Sequence, residues 1–386
     1  MNITCKVCLS SFLDPHFLTL ENMPKGAQYL PSKQNLENDR GVHLKIAQCK
    51  GCGLVQLLNE PVPYFKEVIR STSFSKEMTK FRKKQFKEFI DKYHLNDKKI
   101  VEIGSGTGDY LSIMNQLNIN AYGVEFSQKS VNVCRDKGLS VEKGFINSTQ
   151  DRLSNGPFDA FFMMSFLEHI PYPNDVLKAI VCNLKDDAIG IVEVPNFQLM
   201  IDKKLFSEFI SDHIFYFTME TIKQTLRING FNILESSIIW NDYIISIIVE
   251  KRRNMNFTRI IEDKERIRSR FKHFISQFPK KTIAVWGAGH QSIALISLLN
   301  LGDHIKYVVD SATFKQNKYM PVSHIPIKPP EILNSDPVRA VIVLAGSYGD
   351  EVINLIKKNY KLNMKVAVFN DNELKISDLT YHDDLA

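Results

Sequence analysis

From Lys98 onward short apolar runs alternate with amphipathic helical patterns, and no other feature of the chain restricts its fold as strongly. The runs are KKIVEIG, AYGVE, VEKGF, DAFFMMS and AIGIVEVP; helical patterns begin near Gly108 and cover SQKSVNVCRDKG and NDVLKAIVCNLKD. Strands separated by helix-length segments run parallel, because each crossover helix packs back onto the sheet. The pattern then changes. After a helix over TMETIKQTLRING, which Thr218 is placed to cap, come FNILESSII and YIISIIVEK, joined at Trp240-Asn241-Asp242. The expected fold is α/β, a doubly wound parallel sheet ending in a hairpin.

The first of these strands runs into Glu102-Ile-Gly104-Ser-Gly106-Thr-Gly108, and Glu125 closes the second. Glycines between a strand and a helix let the backbone approach a ligand closely, and an acid at the end of the next strand accepts ribose hydroxyls. The acid at Glu102, the GxGxG spacing and Glu125, together with the terminal hairpin, resemble the class I S-adenosylmethionine-dependent methyltransferases. That resemblance implies that Gly104, Ser105 and Gly106 line the methionine end of the donor, that Glu125 and Phe126 hold its ribose, and that Phe145 and Ile146 flank its adenine. In MMSFLEHI it places Met164, Ser165 and His169 toward the methyl-transfer pocket; the plainer alternative for His169 is a helix-start residue without chemistry.

Two CxxC pairs, Cys5/Cys8 and Cys49/Cys52, stand ahead of this domain. Four thiolates close a tetrahedral shell, so structural zinc is expected; a dithiol switch would leave one pair unexplained. The stretch between the pairs is too long for a small finger and suits a zinc-ribbon-like module with an inserted loop. Cys134 and Cys182 fall inside helical patterns and are expected in the core. A helix from Ser75 carries KFRKKQFK, whose basic residues read as a solvated face, with phosphate contact as the alternative.

At 386 residues the chain exceeds one ordinary core. The expected division is a zinc-binding module over 1–70, a methyltransferase domain over 71–253, and a linker helix with a Rossmann-like substrate domain over 254–386. The last begins at RRNMNFTRIIEDKERIRSRF and repeats strand, Gly287-Ala-Gly289, helix, with Asp310 closing the next strand. Gln291-Ser292 replaces the third glycine of the dinucleotide pattern, so an empty or substrate-holding lobe is expected rather than a nicotinamide site. A net charge of +6 does not call for nucleic acid. The opening MNITCKVCLS is not a secretory signal and no membrane-length apolar run occurs, so a cytoplasmic protein without a membrane partner is expected. The oligomeric state is not legible.

Cysteine module, methyltransferase domain and a lobe carrying GxG and later KYMPVSHIP together resemble the sugar C-methyltransferases acting on nucleotide-linked keto-deoxysugars. The resemblance covers nearly the whole chain and directs attention to SDHIFYF, residues 211–217. Alone, His213 among aromatics reads as filler. By the resemblance, Asp212 and His213 match the acid and histidine of the family's Y-H-E-H pattern, whose histidine removes a proton. Methylating carbon requires a base beside the ketone so that an enolate attacks the methyl, and histidine titrates nearest neutrality. Asp212 is then expected to orient the ring and Tyr216 to donate to the oxyanion. Ile210 and Ser211 replace the first two residues of the pattern. Arg70, Ser71 and Ser73 replace a segment that carries a tyrosine in the family, with Arg70 a candidate contact to a substrate phosphate or carboxylate. An oxygen or nitrogen methyltransferase is the alternative reading.

Overall fold

A computed structural model of the chain describes residues 4–13, 18–28, 30–67, 75–117, 119–360 and 364–379. Arg70, Ser71 and Ser73 lie outside the described residues. The chain divides into two compact units, Met1–Asn254 and Met255–Ala386.

The first unit opens with β1 (Leu18–Met23), β2 (Val42–Gln48), β3 (Val55–Leu57) and α1 (Lys76–Lys92). The expected alternation follows as β4 (Lys99–Ile103), α2 (Asp109–Gln116), β5 (Asn120–Glu125), α3 (Gln128–Asp136), β6 (Ser140–Lys143), β7 (Phe158–Met164), α4 (Pro173–Cys182) and β8 (Leu184–Pro195). It ends with α5 (Phe197–Asp202), β9 (Phe215–Tyr216), α6 (Met219–Ile228), β10 (Phe231–Ile239) and β11 (Ile244–Lys251). Thr218 caps α6 through its side chain, and Trp240, Asn241 and Asp242, all at positive φ, make the tight turn of the hairpin.

The large sheet has the order β10-β11-β8-β7-β4-β5-β6. Strands β4 to β8 are parallel, while β11 runs antiparallel to both β8 and β10. This is the class I methyltransferase sheet with its terminal hairpin. β4 has β5 on one side and β7 on the other, so the winding reverses there and opens a crevice at the carboxyl ends of the strands. Helices on both faces explain why the strands read as continuous apolar runs. On β4 and β7, Val101, Ile103, Phe161 and Met163 face the core shared with α4 and α6. Ile100, Ala160, Phe162 and Met164 face the core shared with α1 and α2.

Two expectations are corrected here. Arg82 of KFRKKQFK is not on a solvated face: it is buried against β8, where its guanidinium meets the Glu193 carboxylate at 2.6 Å and Gln85 donates to the same carboxylate at 2.6 Å. The helical pattern carried an arginine into the apolar stripe because a carboxylate waits 111 residues downstream. Cys134 is buried as expected, but Cys182, at the end of α4, is exposed.

The cysteine-bearing residues share a sheet and a core with the methyltransferase residues. The small sheet has the order β1-β2-β3-β9, and β9 comes from the SDHIFYF segment far along the chain. Cys5, Val7, Cys49, Cys52 and Leu54 belong to the same buried cluster as α4 and β8.

In the second unit, α7 (Thr258–Ile275) precedes β12 (Ile283–Trp286), α8 (His290–Leu298), β13 (Ile305–Val309), β14 (Ile327–Lys328), α9 (Ile332–Ser335), β15 (Ala340–Val343), α10 (Gly349–Asn359), β16 (Met364–Asn370) and β17 (Glu373–Leu379). Its sheet order is β14-β13-β12-β15-β16-β17, parallel except for β17. Asp310 accepts from the Ala288 and Ala312 N–H groups at 2.8 and 2.9 Å and from Lys315 at 2.9 Å, while Ser292 accepts from the Gly289 N–H at 3.0 Å. The acid and the turn are thus hydrogen-bonded within the lobe. No helix among the described residues is long and apolar enough to cross a membrane.

Candidate functional site

The crevice over β4 is shaped by glycine. Gly104, Gly106 and Gly108 all hold positive φ, and a side chain on Gly104 would meet the Phe166 ring at 2.4 Å. At Gly106 a side chain would meet nothing within 4 Å, so this face of the loop is open. The loop is held from behind by Val124, whose carbonyl accepts from the Gly104 and Ser105 N–H groups at 3.0 and 3.2 Å. Glu125 accepts from the N–H groups of Gly106 and Ser127, each at 2.8 Å. Burial raises its pKa against the pull of those donors.

A narrow cleft results, lined by Gly104, Glu125, Phe126, Phe145 and Ile146 together with Lys66 and Phe166. Glu102 and Ser105 are buried behind it, the Ser105 hydroxyl without a hydrogen-bond partner. Met164 departs from expectation: it packs in the core shared with α1. Ser165, at φ 48°, turns the chain out of β7 and donates its N–H to the Glu193 carbonyl at 2.9 Å. Sequence reasoning missed Phe65, Lys66 and Phe166. The Lys66 ammonium lies 4.9 and 5.2 Å from the ring centres of Phe145 and Phe126, a cation over aromatic faces at the mouth of the cleft. Nothing local in the sequence marks Lys66, which is separated in the chain from Phe126 by α1, β4, α2 and β5.

His169 and His213 come together although 44 residues apart, with ring centres 4.7 Å apart in an edge-to-face arrangement. His169 ends a single 3-10 turn, Leu167–His169. Its Nδ1 is 2.9 Å from the Asp212 main-chain carbonyl, which can only accept, so Nδ1 carries the hydrogen and Nε2 keeps its lone pair. That Nε2 faces the Glu168 carboxylate at 3.8 Å. Burial lowers the pKa of His169, and burial with the neighbouring His169 pushes His213 down to about 3. Both rings are therefore neutral in the ordinary pH range.

Asp212 and Tyr216 are placed differently from expectation. The Asp212 carboxylate accepts from the Ala27 N–H at 2.7 Å and lies beside the Tyr64 hydroxyl, whose pKa rises through burial and this carboxylate; its charge acts on His169, not on His213. The Tyr216 hydroxyl accepts from the Ile210 N–H at 3.1 Å and donates to the Ile210 carbonyl at 3.2 Å, so it closes its own loop. Both residues anchor the segment rather than completing the histidine. Ser211 adds a third anchor by donating to the Pro24 carbonyl at 2.7 Å, and Phe215 and Tyr216 pair with Gln56 and Val55 of β3. Glu168 is a further residue that the sequence reading passed over, although it stands directly before His169.

The four cysteines converge. Their sulfur atoms lie within 4.8 Å of one another, with Cys5 and Cys52 3.7 Å apart and Cys8 and Cys49 3.4 Å apart. The edge of a zinc–thiolate tetrahedron is about 3.8 Å. Backbone N–H groups of Val7 and Cys8 point at the Cys5 sulfur, and those of Gly51 and Cys52 at the Cys49 sulfur, as thiolates require. Although burial opposes it, hydrogen bonds from Ser10 hold Cys8 at about 6, whereas burial raises Cys5 and Cys52. The donor set and spacing fit zinc. Gln56 of β3 donates to the Cys5 sulfur at 2.9 Å, tying the cluster to the strand that pairs with β9.

A family model described as a methyltransferase domain matches residues 76–236, and one described as a C-methyltransferase C-terminal domain matches residues 250–368. C-methyltransferase NovU of Streptomyces niveus is 22% identical over 384 residues, covering 91% of this chain and 91% of that protein. The ubiquinone biosynthesis O-methyltransferase of Colwellia psychrerythraea is 30% identical over 88 residues, covering 22% of this chain and 36% of that protein. Among solved structures, an S-adenosylmethionine-dependent methyltransferase from Clostridium acetobutylicum is 15% identical with a TM-score of 0.38, covering 49% of this chain and 96% of that one. Magnesium protoporphyrin IX methyltransferase from Synechocystis, with bound SAH, is 14% identical with a TM-score of 0.38, covering 47% of this chain and 90% of that one.

Proposed function

The chain belongs to the S-adenosylmethionine-dependent C-methyltransferases, and on that premise we propose that it methylates a carbon beside the ketone of a nucleotide-linked keto-deoxysugar, with His213 as the base. The observation that carries this reading is the adjacent pair of buried His169 and part-buried His213, held between the end of the methyltransferase strands and the small sheet. S-adenosylmethionine, when bound, supplies an electrophilic sulfonium methyl. Gly104 and Gly106 would hold its methionine end, Glu125 and Phe126 its ribose, and Phe145 with Ile146 its adenine.

His213 is neutral and so has a lone pair ready for a proton. A base this weak in the free protein needs help once it is charged. Glu168, with a carboxylate oxygen within 4.8 Å of the His213 ring nitrogen, supplies the negative charge that stabilises the imidazolium. His169, fixed by the Asp212 carbonyl, sets the orientation of its neighbour, and the surrounding aromatic side chains exclude water. The substrate would lose its α-proton to His213, leaving an enolate carbon to take the methyl that the bound donor would supply, with S-adenosylhomocysteine as the leaving group. Zinc in the cysteine cluster has a structural role, holding β3 and through it β9. The second unit serves as a substrate-holding lobe.

The test is mass spectrometry of nucleotide-linked 4-keto-deoxysugars incubated with the protein and methyl-deuterated S-adenosylmethionine. A labelled sugar nucleotide with the methyl on carbon is expected, and transfer is abolished in His213→Asn while donor binding is retained. Label on oxygen or nitrogen, or wild-type turnover in His213→Asn, overturns the reading.

A further inference from the structure

We propose that Glu168, His169 and His213 form a second metal site, for a borderline divalent cation such as Zn²⁺, Co²⁺ or Ni²⁺, whose occupation silences methyl transfer. Each residue offers one ligand atom, and these atoms lie within 4.8 Å of one another. The tetrahedral edge for nitrogen and oxygen ligands is about 3.4 Å, so the atoms need to draw together by little more than about an ångström. Two imidazoles and one carboxylate suit this class of cation, whereas calcium and magnesium prefer all-oxygen shells.

Two further observations favour a cation here. The Asp212 carbonyl takes the Nδ1 hydrogen of His169 at 2.9 Å, the outer-shell arrangement that fixes a ligating histidine and leaves Nε2 available. That Nε2 then faces a carboxylate oxygen of Glu168 at 3.8 Å, where His169 and Glu168 are both buried. Three protein ligands leave one position open to water, the pattern of an exchangeable site rather than a closed structural one.

A ring nitrogen of His213 that is bound to the metal has no lone pair for a proton. A loaded site and an active base therefore exclude each other, a consequence that rests on the assignment of His213 as the base. The binding itself does not depend on that assignment.

The experiment uses the full chain with zinc in the cysteine cluster, titrated with Co²⁺. One equivalent is expected to bind, giving visible ligand-field bands without the thiolate charge-transfer absorption of a cysteine site. His169→Gln and Glu168→Gln are each expected to weaken binding at least tenfold, with S-adenosylhomocysteine binding serving as the check that each variant is folded. Co²⁺ is expected to inhibit transfer, and a mild chelator to restore it. Absence of the bands in the wild-type protein, or unchanged affinity in both variants, overturns the site. Full transfer at saturating Co²⁺ overturns the silencing. If Co²⁺ binds as described but no keto-sugar is methylated without it, the proposed function fails and the metal site stands.

Discussion

Replacing Tyr216 by phenylalanine separates a structural hydroxyl from a catalytic one. The Tyr216 side chain is 2% exposed, and its hydroxyl bridges the Ile210 N–H and carbonyl at 3.1 and 3.2 Å. Phenylalanine fills the same volume and keeps the packing on Phe197 and Phe209, so no cavity term arises. What remains is an Ile210 N–H and carbonyl that lose their partner. A buried group left unpaired costs about 1–3 kcal/mol, and because Ile210 is itself half-buried, water recovers part of this, giving about 1–2 kcal/mol. An oxyanion donor behaves differently: its removal costs about 10²–10³ in kcat with little loss of stability. The assay is urea unfolding in a Trp286→Phe background, where Trp240 alone reports on the first unit, paired with transfer rates at saturating substrates and a temperature at which the variant is folded. The expected result is a lowered unfolding midpoint with kcat within about tenfold of wild type. Unchanged stability with a hundredfold loss in kcat would refute the structural assignment and restore Tyr216 to the chemistry.

Removing zinc, by chelation or Cys49→Ser, should reduce transfer more than donor binding, because the small sheet supports the His213 segment while the glycine loop rests on the large one; calorimetric donor binding beside turnover checks this. Arg82→Ala leaves Glu193, fully buried, without its partner and should destabilise the first unit by about 3–5 kcal/mol, whereas Arg82→Met combined with Glu193→Leu should recover most of the loss in urea unfolding. For Asp310, burial works to raise the pKa, but Lys315 and the Ala312 and Ala288 N–H groups outweigh it and hold the folded value below the unfolded one. Its stabilisation is thus complete above the unfolded carboxylate range and fades as pH falls through the folded pKa. Asp310→Asn should destabilise the second unit near neutrality, and the gap to wild type should close below about pH 4, read by Trp286 fluorescence; a gap that widens in acid contradicts the assignment.

The large sheet was legible because its strands and helices are local patterns, and the glycine loop because positive φ over three alternate positions demands glycine. The cysteine cluster was legible because two knuckles leave little else to do. Less was visible where partners are distant. Arg82 reads as a surface residue until Glu193 is known, and Lys66 carries no local mark of the aromatic rings it covers. Asp212 and Tyr216 have the right chemistry for catalysis, but their partners, Ala27 and Ile210, are main-chain groups whose position no side-chain pattern records.

The strand Phe215–Tyr216 has a divided allegiance. In the chain it lies within the methyltransferase sequence, yet in space it is the edge of the amino-terminal sheet, one hydrogen-bonded step from the cysteine cluster through β3 and Gln56. A hybrid enzyme that joined one relative's amino-terminal residues to another's methyltransferase domain at residue 70 would therefore split a sheet. The portable piece is residues 5–57 together with 210–217, two stretches that have to be exchanged as one.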